Sequence, residues 1–243
     1  MSEKPKIKKY KNLRNIVTRL RDDLRDSSNG GCDYVLLFAY NGTGKTRLSM
    51  EFKESGKHKR GIERDTLYYN AFTEDLFYWD NDLENDVQRT LKINTDSKFI
   101  EGLHAFPLES RIFSYLENYT SFNFKIDYTD WKVIFRKEVN NPKYRPNSQE
   151  PEKISLDNIK ISRGEENIFI WCFFLAICEL VIDGIETYSW VKYIFIDDPV
   201  SSLDDNNTIA LATNLAKLLK QAAGKVKIII SSHHSLFFNV IYN

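Results

Sequence analysis

Tyr34-Val35-Leu36-Leu37-Phe38-Ala39-Tyr40-Asn41-Gly42-Thr43-Gly44-Lys45-Thr46 is the stretch from which the fold can be read. Its opening residues are apolar and follow the turn cluster Ser27-Ser28-Asn29-Gly30-Gly31, so Tyr34 to Phe38 is predicted to be a buried strand. A helix is predicted to start near Gly44. Strand, glycine-rich loop and helix are the setting of a phosphate-binding loop. Gly42 and Gly44 let the backbone curl until successive N–H groups, Asn41 and Thr43 among them, point at a triphosphate. Lys45 reaches the outer phosphates, and the Thr46 hydroxyl is placed for Mg²⁺. The pattern GxxxxGK[ST] has its first glycine replaced by Ala39, whose methyl group would crowd the turn if that position required φ > 0.

A second stretch, Tyr193-Ile194-Phe195-Ile196-Asp197-Asp198, reads as a buried strand ending in two carboxylates. Parallel sheets place ligands at the carboxyl ends of their strands. Asp197 is then positioned to hold the hydration shell of Mg²⁺. Asp198 is the candidate to orient the attacking water, because phosphoryl transfer to water needs a placed nucleophile and neutralised charge.

Outward from these stretches, Leu13, Ile16, Val17, Leu20 and Leu24 draw the apolar stripe of a helix ending before Ser27. A short strand is predicted over Leu67 to Tyr69. Glu74 to Asp86 is acidic without a basic residue and is read as a solvated face. Phe122 to Val139 alternates apolar and polar residues, predicting an antiparallel pair, and Asn140 to Glu152 is a linker or exposed loop. Then come a strand near Ile159, an apolar helix from about Glu165 to Ile182, a helix from about Asp204 to Ala222 and a strand Val226 to Ile230. Strands alternating with helices imply a mainly parallel α/β sheet covered on both faces. The organisation expected is an N-terminal half of the core (1–70), an inserted antiparallel or irregular lobe (71–152) and a C-terminal half (153–243).

Composition bounds partners. Of 243 residues, 34 are Lys or Arg and 34 Asp or Glu, so only a local basic patch could attract a polyanion. The Lys-rich N-terminus and the group Lys53, Lys57, Lys59, Arg60 and Arg64 are read as solvated faces, with nucleic acid left without support. The apolar run Ile168 to Cys178 is too short to span a bilayer, and the opening residues lack a secretory signal, so the expectation is a cytoplasmic protein without membrane contact. Cys32, Cys172 and Cys178 are read as small buried hydrophobes, and His58 and His104 as surface or packing residues.

Three further stretches stand in order with the first two: Ile161-Ser162-Arg163-Gly164-Glu165 before the apolar helix, Ser201-Ser202-Leu203-Asp204 after the acidic strand, and His233 in Ser231-Ser232-His233-His234. The set resembles ABC-type ATPases of the soluble branch that includes chromosome-structure and recombination-repair ATPases. The run Asp197-Asp198-Pro199-Val200-Ser201-Ser202-Leu203-Asp204 looks most like the ATPase domain of bacterial anticodon nucleases and related phage-defence ATPases. The resemblance implies a P-loop fold, ATP and Mg²⁺ as ligands, Lys45, Asp198 and His233 as catalytic residues, and Ser162 and Gly164 as a cap on the γ-phosphate held by a second copy. A head-to-tail dimer follows from that sharing, and the implied role is control of an effector, a nuclease or toxin, in defence against phage.

The sequence departs from the pattern in places. Asp198 stands where many such ATPases have Glu, no glutamine is identified as the Q-loop, with Gln88 and the stretch Asn70 to Asp75 as competing placements, and His234 adjoins the switch position. The segment between the halves is too short for a long coiled-coil arm. A slow or non-hydrolysing ATP-dependent binding switch that sequesters a partner is the alternative reading. A nuclease in the chain itself finds no cluster of acids or histidines outside the ATP site; the anticodon nucleases it resembles cut RNA with residues in a further C-terminal region. That region is then absent, lies beyond a truncated piece, or belongs to a separate protein.

Overall fold

A computed structural model describes residues 8–25, 31–56, 64–70, 76–81, 89–97, 99–100, 103, 106, 108–147, 149–200 and 203–242. The chain divides into two compact units, one of Met1–Asn70, Val181–Ser201 and Leu215–Asn243, the other of Ala71–Leu180 and Ser202–Asn214.

The first unit is built on a four-stranded sheet of β1 (Tyr34–Phe38), β9 (Lys227–Ser232), β8 (Tyr193–Asp197) and β2 (Thr66–Asn70), in that order, with all pairs parallel. Helices α1 (Leu13–Arg25) and α2 (Lys45–Ser55) cover one face, where Val17, Leu20, Leu24 and Phe52 pack with Tyr68, Tyr193, Phe195 and Ile229. Helix α6 (Ser235–Tyr242) packs on β1 and β9, with Phe238 edge-on to Phe38 at 5.3 Å. Phe38 is one residue out of phase with Val35 and Leu37, so α6 lies on the opposite face. The fold is α/β, a parallel sheet flanked by helices. The central strand β8 is buried at every residue, as its continuous apolar run requires. Strand β1 departs from expectation: it sits at a sheet edge with Tyr34 43% and Phe38 40% exposed.

The first unit also holds a buried ion pair with no counterpart in the sequence reading. Arg21 of α1 donates to both Asp65 oxygens at 2.7 and 3.1 Å and to the Phe52 carbonyl and Ser55 hydroxyl of α2. Its guanidinium lies 4.2 Å from the Phe52 ring and 4.7 Å from that of Tyr193. Burial pushes the Asp65 pKa upward, but the Arg21 and Thr66 hydrogen bonds outweigh it and leave the carboxyl below its ordinary value. Gly56 makes room: a Cβ there would lie 1.9 Å from an Asp65 oxygen.

The second unit carries an antiparallel sheet of β3 (Phe77–Asn81), β4 (Arg89–Ile93), β5 (Asn123–Asp127), β6 (Lys132–Asn140) and β7 (Lys153–Asp157). β6 pairs with β5, β4 and β7. The antiparallel pair predicted over Phe122 to Val139 is β5 and β6. The strand predicted near Ile159 lies earlier, at β7, and joins this sheet instead of the parallel one. Its alternation is faint because four of its five residues are exposed. Residues between β6 and β7 form the loop of that hairpin. Of Glu74 to Asp86, the described part includes buried Leu76 and Phe77, so it is not a wholly solvated face. Helix α4 (Arg163–Ile182) is apolar all round and buries Phe169 against Phe77, Phe124 and Phe135 at 5.0 to 5.9 Å. Helix α3 (Glu109–Leu116) joins it through Arg111 and Tyr115, both bonded to Glu179. Helix α5 (Asp205–Ala222) follows β8 and precedes β9 in the chain. Cys172 and Cys178 are fully buried, and burial raises both thiols above their ordinary pKa. Among the described residues no helix is long and apolar enough to cross a membrane.

Candidate functional site

Parallel pairing aligns the strand ends. Asn70 of β2 stands opposite Asp197 of β8, and Asp197 opposite Ser231 of β9, so polar residues form one row across the carboxyl edge of the sheet. The loop from β1 to α2 begins beside the same edge, where the Ala39 N–H donates to the Ser232 carbonyl at 3.1 Å.

That loop has the shape its glycines permit. Gly42 and Gly44 adopt φ of 78° and 99°, a region costly for any residue with a Cβ, and Gly44 caps α2. Ala39 does not have positive φ, so its methyl group is tolerated. The Lys45 ammonium donates to the carbonyls of Ala39 (2.9 Å) and Tyr40 (3.2 Å) and to the Asn41 side chain (3.3 Å), bridging the loop from within. It also stands 3.8 Å from an Asp198 oxygen. The Thr43 hydroxyl donates to the Tyr40 carbonyl at 2.7 Å.

Asp197, 1% exposed, accepts from the hydroxyls of Ser231, Ser49 (3.1 Å) and Tyr68 (3.3 Å) and from the Asn70 amide (3.3 Å). Hydrogen bonds thus compensate its charge. Tyr68 stays a donor: burial, then the Asp197 charge, raises its pKa against the lowering bonds of Ser49 and Asn70. Thr46 is exposed on the first turn of α2 and is not a hydrogen-bond partner of Asp197. A hydroxyl and a carboxylate suit Mg²⁺, which takes one or two carboxylates with phosphates and water.

Asp198 turns away from the strand with φ 52°, a conformation Asp tolerates better than most residues. Its N–H donates to the Ser231 carbonyl at 2.8 Å. His233 Nδ1 lies 2.8 and 2.6 Å from the two Asp198 oxygens, so with a carboxylate as acceptor Nδ1 carries the proton. His234 has a different role. Its ring accepts the Phe237 N–H at 3.4 Å and its carbonyl the Phe238 N–H, which makes it the N-cap of α6. Of the two histidines, His233 is thus the one beside Asp198.

Ser162 and Gly164 belong to the second unit. Ser162 caps α4 in a reciprocal box: its hydroxyl accepts the Glu165 N–H at 3.3 Å, and Glu165 accepts the Ser162 N–H at 2.8 Å. The serine proton is left to donate elsewhere. Gly164 lies in the first turn without positive φ, and a Cβ there would meet nothing within 4 Å. Gly costs about 1 kcal/mol against Ala in a helix, so no contact within the described chain accounts for it. Leu203 and Asp204 of the third motif are described; Ser201 and Ser202, like Gln88, His58, His104, Lys57, Lys59 and Arg60, lie outside the described residues. Sequence reasoning missed Ser49, Tyr68 and Ser231 around Asp197; the signal was the alignment of strand ends, which one strand at a time does not show.

No family model matches the chain. It is 38% identical over 238 residues to an anticodon nuclease of Escherichia coli, covering 86% of this chain and 57% of that protein. The chain therefore spans little more than half the length of this relative. A structural likeness to the Smc head bound to the C-winged helix domain of ScpA is remote: 12% identity and a TM-score of 0.29, over 55% of this chain and 35% of that one.

Proposed function

We propose that this chain is a Mg²⁺-dependent ABC-type ATPase that closes head-to-tail with a second copy around ATP and controls an effector nuclease or toxin in defence against phage. The observation that carries the reading is the convergence of Lys45, Asp198 and His233 at the carboxyl edge of the parallel sheet, with Lys45 3.8 Å from Asp198. In this reading Asn41 to Thr46 wrap the phosphates, with N–H groups and Lys45 holding negative charge. Thr46 and Asp197 hold Mg²⁺, which supplies charge neutralisation at the phosphates. Asp198, oriented by His233, places the attacking water. Ser162 donates its free proton to the γ-phosphate of the nucleotide bound by the partner copy, and the bare Gly164 leaves room for that approach. The anticodon-nuclease relative supports the tie to an RNA-cutting effector. Lys45→Ala should abolish ATP binding in titration calorimetry; ATP affinity equal to wild type refutes the reading.

A second reading, a switch that binds ATP and hydrolyses it slowly or not at all, is favoured by the state of Asp198. Both its oxygens are taken up by His233, and it is one methylene shorter than Glu. Light scattering with phosphate release separates the two: a stable ATP dimer without turnover supports the switch.

A further inference from the structure

An exposed ring and a cavity in this chain complement each other, and each flanks one half of the proposed shared site. The ring is Tyr40, 71% exposed and two residues before Gly42. Its carbonyl accepts from the Thr43 hydroxyl at 2.7 Å and from Lys45 at 3.2 Å, and its ring stands edge-on to Phe38 at 5.5 Å. The loop backbone is therefore held while a large aromatic ring stands out into solvent, the kind of side chain that serves as a binding anchor.

The cavity lies in the second unit and measures about 320 Å³. It exists because β6 outruns its cover. Val133 and Phe135 are buried, while Lys137 and Val139 continue the same strand face as cavity lining. Phe122, Leu156 and Ile159 add to the apolar lining, with Lys137 and Lys160 as its cations. Ile161 and Glu165, the residues bracketing Ser162 and Gly164, line it too. Leu156, 46% exposed, is a large apolar side chain left open to solvent.

We infer that when two copies close on ATP, the Tyr40 ring of each seats in the cavity beside the partner's Ser162. The inference rests on the shared-site reading, in which the phosphate loop of one copy and the signature turn of the other meet at one γ-phosphate. The residues beside Gly42 are then brought against those beside Gly164. The aromatic face gains the apolar lining and an ammonium group, a cation–π contact that strengthens when water is excluded. The occupant is thus a second copy of this chain, and the ring fixes the register in which the two copies dock.

The test uses the full chain carrying Asp198→Asn to hold ATP and Cys32→Ser to remove the accessible native thiol, with Tyr40→Cys and Leu156→Cys together and a short bis-maleimide linker. The expected result is a covalent dimer formed with ATP and absent without it. ATP-dependent dimers seen by light scattering but not captured by that pair overturn the inference and leave the shared-site reading intact. Absence of any ATP-dependent dimer in the Asp198→Asn chain without the cysteines overturns both. As a second measurement, Leu156→Ser should weaken ATP-driven dimerisation about tenfold, as loss of an anchor pocket does; an unchanged dimer constant counts against the inference.

Discussion

Replacing Gly56 with Ala tests how helix α2 is anchored. The new Cβ would lie 1.9 Å from an Asp65 oxygen, 2.6 Å from its carboxyl carbon and 2.9 Å from an Arg21 nitrogen. Asp65 must retreat until ordinary contact is regained near 3.4 Å, yet it is held at 2.7 and 3.1 Å by Arg21 and at 2.7 Å by Thr66. The two side chains are 7% and 12% exposed, so water cannot replace the lost bonds. Breaking a buried pair costs about 3–5 kcal/mol; sharing the shift with the backbone sets the expectation near the lower end, about 3 kcal/mol. That is a large part of the roughly 5–15 kcal/mol by which domains are stable. Urea denaturation followed by circular dichroism measures it. In an Asp65→Ala background the two nearest atoms are gone and only the end of the long Arg21 side chain must give way, so the same Gly56→Ala change should then cost about 1 kcal/mol or less. Equal losses in the two backgrounds would refute the steric account.

Further outcomes follow from the same contacts. Because the folded Asp65 pKa is lowered, its contribution is present above the unfolded value of about 3.9 and lost as pH falls through the lower folded value. Asp65→Asn should therefore flatten the pH dependence of stability in that acid window, and an unchanged slope contradicts the assignment. Thiol titration of the native protein should find Cys32 reactive first, with Cys172 and Cys178 reacting only on unfolding. Fast reaction of all the thiols would contradict their burial. His234→Ala should cost about 1 kcal/mol of stability, as loss of a helix cap does, and leave ATP turnover in place. His233→Ala should lower turnover by about a hundredfold or more, and reversal of this order would exchange their roles.

The legible parts of the chain were those that physics marks locally. An apolar run ending at Phe38 or Asp197 and the glycines at 42 and 44 announce themselves because a buried parallel strand excludes polar residues and a positive φ selects glycine. Burial of β1 was misjudged because an edge strand and a central one can share a composition; only the pairing order separates Tyr34 from Tyr193. β7 was placed near Ile159 because its exposed residues carry little alternation. The network around Asp197 was invisible since Ser49, Tyr68, Asn70 and Ser231 come from three elements, α2, β2 and β9, brought together only by sheet register and helix packing. The anchor of Arg21 and Asp65 was hidden similarly, in a pair 44 positions apart.

The account depends on ATP being held between two copies, and mixing two defective chains tests this most directly. Lys45→Ala and Ser162→Ala each spoil both sites of their own dimer, but a mixed dimer contains one site with an intact loop and an intact cap. ATP turnover is predicted to reappear on mixing, above that of either variant alone. A mixture no more active than its components, with each variant folded, would contradict the shared site.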